Sequence, residues 1–265
     1  MTLRATNRNI IPSEVKRSDT KCHPEQSEGS AIRRFFSTTG AAHRAAVQSL
    51  WDGLRPQNDN HRSRMITKVK GWLGHILDLV DAVRFDFKNP HSYTKFRMIQ
   101  SLKQKSKSKI LIEAGTYFGV TADRCSRIFD KVYTIELNQT LAQKAIYFLE
   151  PRKNVTVIKG DALKVLPKLL ELNGTQNVFV YLDGHVCGPM TSYGDFPGPA
   201  VEELKTLSSY REKINAIVID DFRNFGVEKN FPAKSTLVKV AEDNFPNDRF
   251  DISIHWDQLV ILRKS

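Results

Sequence analysis

The chain has 265 residues, 40% hydrophobic and 26% charged, with a formal net charge of +11, enough for one sizeable α/β core and an extension beside it. It has no uninterrupted apolar run of about 18 residues, which argues against a membrane-spanning helix, and Met1–Asn9 is polar and charged with no apolar stretch behind it, so export is not expected. Cys22, Cys125 and Cys187 fit neither a redox pair nor a zinc framework, which makes a reduced, cytoplasmic protein the expectation.

Residues 1–64 show no sustained period of 2 or 3.6 and hold 11 Lys/Arg against 6 Asp/Glu, the composition of a low-order basic extension. Ile11–Val15 and Cys22–Ser30 resemble peptides translated from bacterial intergenic repeats, so the expected start of the fold is Met65 or nearby. A genuine basic arm is the alternative. From Met65 to Phe87 the apolar residues Ile66, Val69, Trp72, Leu73, Ile76, Leu77, Val80 and Val83 recur at three- and four-residue steps on one helix face. A helix capping the core is expected there, since Asp78, Asp81 and Asp86 weaken the other reading, a membrane-surface helix. Lys88–Lys109 then carries seven basic residues and no acidic one, and reads as a connector with a solvated helix face.

After Lys109, short β-branched runs alternate with amphipathic stretches, the mark of repeated βα units around a mostly parallel sheet. The strands expected are Ile110–Ala114, Val132–Glu136, Val155–Lys159, Val178–Asp183, Ala216–Asp220, Asp251–His255 and Leu259–Leu262. The helices expected between them are Val120–Phe129, Thr140–Glu150, Ala162–Leu172, Ala200–Tyr210 and Lys234–Asn244. The last two strands leave no room for a helix and should form an antiparallel hairpin at the sheet edge. The fold class is therefore α/β, a Rossmann-like doubly wound seven-stranded sheet with an N-terminal helical cap, in three parts: 1–64, 65–109 and 110–265.

Gly115 follows the first strand and Gly119 opens the next helix, so the chain can turn tightly and present backbone N–H groups to a ligand. Glu136 stands at the end of the second strand, 21 residues after Gly115, where a carboxylate can accept both hydroxyl protons of a ribose. Gly160-Asp161-Ala162 follows the third strand, and an Asp there can meet an adenine base. The plainer reading is a strand-to-helix turn at Gly115 and Gly119 with Glu136 capping a helix.

Together, Glu113-x-Gly115-x-x-x-Gly119, Glu136, Gly160-Asp161 and Tyr181-Leu182-Asp183-Gly184 resemble a class I S-adenosylmethionine-dependent methyltransferase over residues 105–265. Thr116-Tyr117 in the loop is similar to the metal-dependent O-methyltransferases of the catechol and macrocin groups. The resemblance implies that Glu113 and Gly115 lie near the methionine part of the cofactor, with Thr116, Tyr117, Gly119 and Asp183 around it, that Glu136 binds the ribose, and that Asp161 and Ala162 flank the adenine. An NAD-binding protein is the nearest competitor, but Tyr117 stands where its second loop glycine belongs.

Asp183 ends the fourth strand and Asp220-Asp221 the fifth, so three carboxylates should converge beside the cofactor, hard oxygen ligands suited to Mg²⁺. The macrocin-type resemblance implies a metal on Asp183, Asp220 and Asp221, where it would bind and acidify substrate hydroxyls. The alternative makes these aspartates caps and cofactor contacts. Asp183 and His185 are the expected catalytic residues, with His185 as general base. Val186 replaces the lysine of catechol-type enzymes, which argues against catechol-like chemistry. Val186–Pro199, rich in Gly and Pro, reads as a substrate-covering loop, and Arg223 and Asn224 receive no catalytic role. The expected partner is a small hydroxylated methyl acceptor. The alternatives are an RNA or other polyanion methyltransferase, prompted by Lys88–Lys109, and an inactive cofactor-binding scaffold, which has no need of so many carboxylates.

Overall fold

The alternation read from the sequence becomes a seven-stranded sheet with helices on both faces. The computed structural model describes residues 92–183, 199–228 and 231–264, and upstream of them Met65, Lys68, Val69, Trp72 and Ile76. Those five positions are helical, with Val69 and Trp72 exposed. The extension 1–64, the rest of the expected cap, His185 and the 186–198 part of the expected loop lie outside the described residues.

The strands are β1 (Ile110–Ala114), β2 (Lys131–Glu136), β3 (Val155–Lys159), β4 (Val178–Leu182), β5 (Ile214–Ile219), β6 (Phe250–His255) and β7 (Gln258–Arg263). The described helices are α1 (Ser92–Ser106), α2 (Val120–Cys125), α3 (Gln139–Leu149), α4 (Ala162–Glu171), α5 (Ala200–Ser208) and α6 (Lys234–Asn244). The order across the sheet is β3-β2-β1-β4-β5-β7-β6. β1 to β5 run parallel, and the β6–β7 hairpin closes one edge antiparallel, as the sequence predicts.

The central strands are apolar throughout because both their faces are covered. Every residue of β4, Val-Phe-Val-Tyr-Leu, is buried. Alternate side chains feed two separate cores. On one face Leu111, Val132, Phe179, Tyr181 and Val218 meet Ile99 and Leu102 of α1, Cys125 of α2 and Phe148 of α3. On the other, Ile112, Ile135, Val180, Leu182 and Ile219 meet α4, α5 and α6 through Leu166, Leu204 and Leu237.

No helix among the described residues is long and apolar enough to cross a membrane. The sheet reverses its winding between β1 and β4, and a parallel sheet opens its ligand crevice at the carboxyl ends of the strands at such a point.

Candidate active site

Backbone bonds carry the parallel ladder one residue past the strands and fix the site residues in a row. Gly115 N–H donates to Ile135 O at 2.9 Å, Gly160 N–H to Glu136 O at 2.9 Å, Asp183 N–H to Ala114 O at 2.8 Å and Asp220 N–H to Leu182 O at 3.0 Å. Asp183 and Asp220, expected as the last residues of their strands, therefore stand just beyond them.

The glycine loop differs from the expectation in one physical respect. Thr116 N–H also donates to Ile135 O (3.2 Å) and Gly119 N–H to Thr116 O (2.8 Å), while Tyr117 N–H donates to Glu136 Oε2 (2.8 Å). The N–H groups of Gly115, Thr116, Tyr117 and Gly119 are thus spent inside the fold rather than aimed at a ligand. The glycines are needed for conformation and packing. Gly115 has φ 100° and Gly119 φ 80°, and a Cβ on Gly119 would stand 2.9 Å from Leu149 Cδ1 of α3. Thr116 turns its hydroxyl inward, 2.6 Å from Thr134 Oγ1, whereas Tyr117 is exposed.

Acidic groups dominate what remains. Glu113 is buried at the end of β1, where Thr134 Oγ1 donates to its Oε2 at 2.5 Å. Burial pushes its pKa up to about 8 against the pull of that hydrogen bond, with the Glu136 charge adding to the rise. Burial also raises Glu136, while the backbone amides of Asn138, Tyr117 and Leu137 draw it back. An ionised carboxylate has about four lone-pair sites, so Glu136 can hold the loop and still accept from a ligand hydroxyl. Asp161 is the N-cap of α4: its Oδ1 accepts Leu163 N–H at 3.0 Å, and Ala162 opens the helix beside it. Near Asp161, α5 buries Glu203, whose Oε1 has no hydrogen-bond partner among the described residues. Burial, then the Asp161 charge, raise Glu203 to about 8.

The second group lies at the ends of β4 and β5. Asp220 is fully buried. Its Oδ2 accepts the Tyr181 hydroxyl at 2.5 Å and lies 2.6 Å from Lys95 Nζ, and its Oδ1 accepts Gln258 Nε2 at 3.2 Å. Lys95 Nζ is also 3.4 Å from Asp221 Oδ1. Arg223 sits 3.2 Å from the same oxygen and pairs with Asp257 through its guanidinium and its backbone N–H. Arg223 thus braces carboxylates, and Asn224 closes the 3₁₀ turn Phe222–Asn224.

Burial alone would lower the Lys95 pKa. The charges of Asp183, Asp220 and Asp221, with the hydrogen bond to Asp220, outweigh it and hold the ammonium well above its ordinary value. Asp183 is raised well above the carboxylate range by burial, partly countered by Lys95 and reinforced by Asp220, Asp221 and Glu113.

The metal site expected on Asp183, Asp220 and Asp221 does not fit this arrangement. Among the described residues no group of three or more His, Cys, Asp or Glu side chains is placed to hold a metal ion, and an ammonium already stands between Asp220 and Asp221. Lys95, Gln258 and Glu203 had no role in the sequence reading, and Tyr181 stood there only within the motif Tyr181-Leu182-Asp183-Gly184.

No family model matches the chain, and no curated protein matches it in sequence. Solved structures do. A candidate O-methyltransferase from Klebsiella pneumoniae superposes with TM-score 0.50 at 16% identity, over 83% of this chain and 97% of that one. The O-methyltransferase from Bacillus cereus in complex with SAH superposes with TM-score 0.51 at 16% identity, over 83% and 97%. The fold is that of the class I methyltransferases. Within this class I fold, β1 to β4 bring Glu113, Glu136, Asp161 and Asp183 to one edge of the sheet, and α1 reaches the same edge with Lys95.

Proposed function

We propose that the chain transfers the methyl group of S-adenosylmethionine to a hydroxyl oxygen of a small molecule. The observation that carries this reading is the electrostatic character of the crevice. A dinucleotide pyrophosphate needs free N–H donors at the glycine loop, and four of those donors are engaged internally. A cofactor with cationic sulfonium and ammonium groups needs carboxylates, and Glu113, Glu136, Asp161 and Asp183 line the strand ends. The SAH in the Bacillus cereus structure is the product such a transfer leaves behind.

In this reading Glu136 accepts from the ribose hydroxyls, Asp161 and Ala162 border the adenine, and Glu113 and Asp183 face the methionine end. S-Adenosylmethionine supplies an electrophilic methyl group. The acceptor oxygen forms the new bond to that carbon, and the sulfur keeps the electron pair of the bond that breaks. The hydroxyl proton goes to a base. Among the described residues Asp183 is the candidate, because it stands just past β4 in the same charged cluster as Lys95, Asp220 and Asp221. His185, two residues on, is the second candidate. No step is routed through a divalent ion, since of the aspartates expected to hold it Asp220 is engaged by Lys95, Tyr181 and Gln258 and Asp221 by Lys95. Calorimetry with S-adenosylmethionine, S-adenosylhomocysteine and NAD tests the proposal. Binding of both S-adenosyl compounds is expected, and binding of NAD alone overturns it.

A further inference from the structure

The aspartates of the reaction centre already have a cation, and it comes from outside the sheet. Lys95 lies on α1, ahead of β1. Ile99, one helical turn further on and therefore on the same face, is fully buried, as part of a cluster with Phe179, Tyr181, Ala216 and Val218. That packing fixes the rotation of α1 and delivers Lys95 Nζ to Asp220 Oδ2 at 2.6 Å and Asp221 Oδ1 at 3.4 Å.

Three of the roughly four lone-pair sites of Asp220 are then taken. Oδ2 faces a phenol and an ammonium, and Oδ1 faces an amide. A divalent ion at this carboxylate would lie against a like charge, the Lys95 ammonium 2.6 Å from Oδ2. An ammonium offers three donors, two of which are directed at Asp220 and Asp221. The Lys95 side chain keeps 17% of its surface, and among the described residues its ammonium makes no hydrogen bond or ion pair other than with these two carboxylates.

Resting on the methyl-transfer reading above, we infer that Lys95 is a resident cation that takes the place of a divalent ion in this centre, with its third N–H left to hold the acceptor oxygen. Because the lysine stays charged, it orients the hydroxyl and balances the negative charge that develops there, while the proton leaves to a different group. A single ammonium donor grips one oxygen, where a metal can chelate two. The acceptor it suits is therefore a lone hydroxyl rather than a vicinal diol.

The test is a titration of the full chain with Mn²⁺, followed by the paramagnetic resonance of the free ion, with S-adenosylmethionine binding measured on the same samples. Wild type should leave Mn²⁺ free. Lys95→Ala should bind one ion, about tenfold more tightly or better, and an added Asp220→Asn should abolish that binding. Lys95→Arg, which keeps the charge and protects against loss of the fold, should again leave Mn²⁺ free. Stoichiometric Mn²⁺ binding by wild type, or binding by neither wild type nor a folded Lys95→Ala, overturns the inference. Failure of wild type to bind S-adenosylmethionine overturns the methyl-transfer reading instead, so the two failures are distinguishable.

Discussion

The two ends of the crevice solve the same problem in opposite ways. At the ends of β1 and β2, buried carboxylates are held by neutral donors: Glu113 by a threonine hydroxyl and Glu136 by backbone amides. At the end of β5, Asp220 is held by a neutral phenol and amide and also by an ammonium. The first arrangement brings no cation of its own and is open to one that must arrive from solution, whereas the second has its cation built in. A row of acidic residues at one sheet edge is therefore two devices, separated by which residues carry neutralising charge to it.

The sharpest way to break this contrast is to remove the internal cation. Lys95→Met should destabilise the protein by about 3–5 kcal/mol, because Asp220 is left buried without its charged partner. Chemical denaturation reads the loss, and Asp220→Asn added to Lys95→Met should recover part of it. A near-neutral single mutant would mean that the ion pair is not structural.

The other end should respond in affinity rather than stability. Glu136→Ala is expected to weaken S-adenosylmethionine by about 1.5–3 kcal/mol, the range for hydrogen bonds to a charged group, and calorimetry should show it with a smaller change in unfolding free energy than Lys95→Met.

A pH series sharpens the contrast further. With its pKa at about 8, Glu113 is protonated in the free protein at neutral pH, and a cation bound beside it favours the ionised form. Binding must then expel a proton, so affinity should rise with pH, by up to about tenfold per unit, and level off above 8. Glu113→Gln should flatten the profile. In the free protein the sign for stability is reversed: a raised carboxyl pKa gives stability that is lost as pH climbs through about 8.

The smallest effect is expected from deleting residues 1–60. It should change cofactor affinity and stability by less than about 0.5 kcal/mol, and a much lower melting temperature would show that the extension belongs to the fold.

Where local pattern and burial agree, the sequence was enough. β1, β3 and α6 have the expected bounds, and the hairpin at the edge follows from the missing helix between its strands. α2 ends at Cys125 rather than Phe129 because its chain tightens into i→i+3 bonds, Arg127 N–H to Arg124 O and Ile128 N–H to Cys125 O, a change that apolar periodicity does not register. Lys95 was missed for another reason. Seven basic residues between Lys88 and Lys109 read as one solvated face, yet Phe96, Ile99 and Leu102 recur every third position and turn that part of the segment toward the core. Tyr181 entered only through the motif at the end of its strand and Gln258 fell just outside the expected strand Leu259–Leu262, and only the neighbour relations β4–β5–β7 place them around Asp220.

The contact between Lys95 and Asp221 joins positions 126 residues apart, whereas Glu113, Glu136 and Asp161 fall within the first three strands and the turn into α4. Chain closure over so long a span forms late relative to local contacts. As the protein is made, a nascent chain that has reached the end of α4 holds those three carboxylates but neither partner for Lys95. The cluster around Lys95 is thus completed only when β5 docks against β4 and brings Asp220 and Asp221 to it.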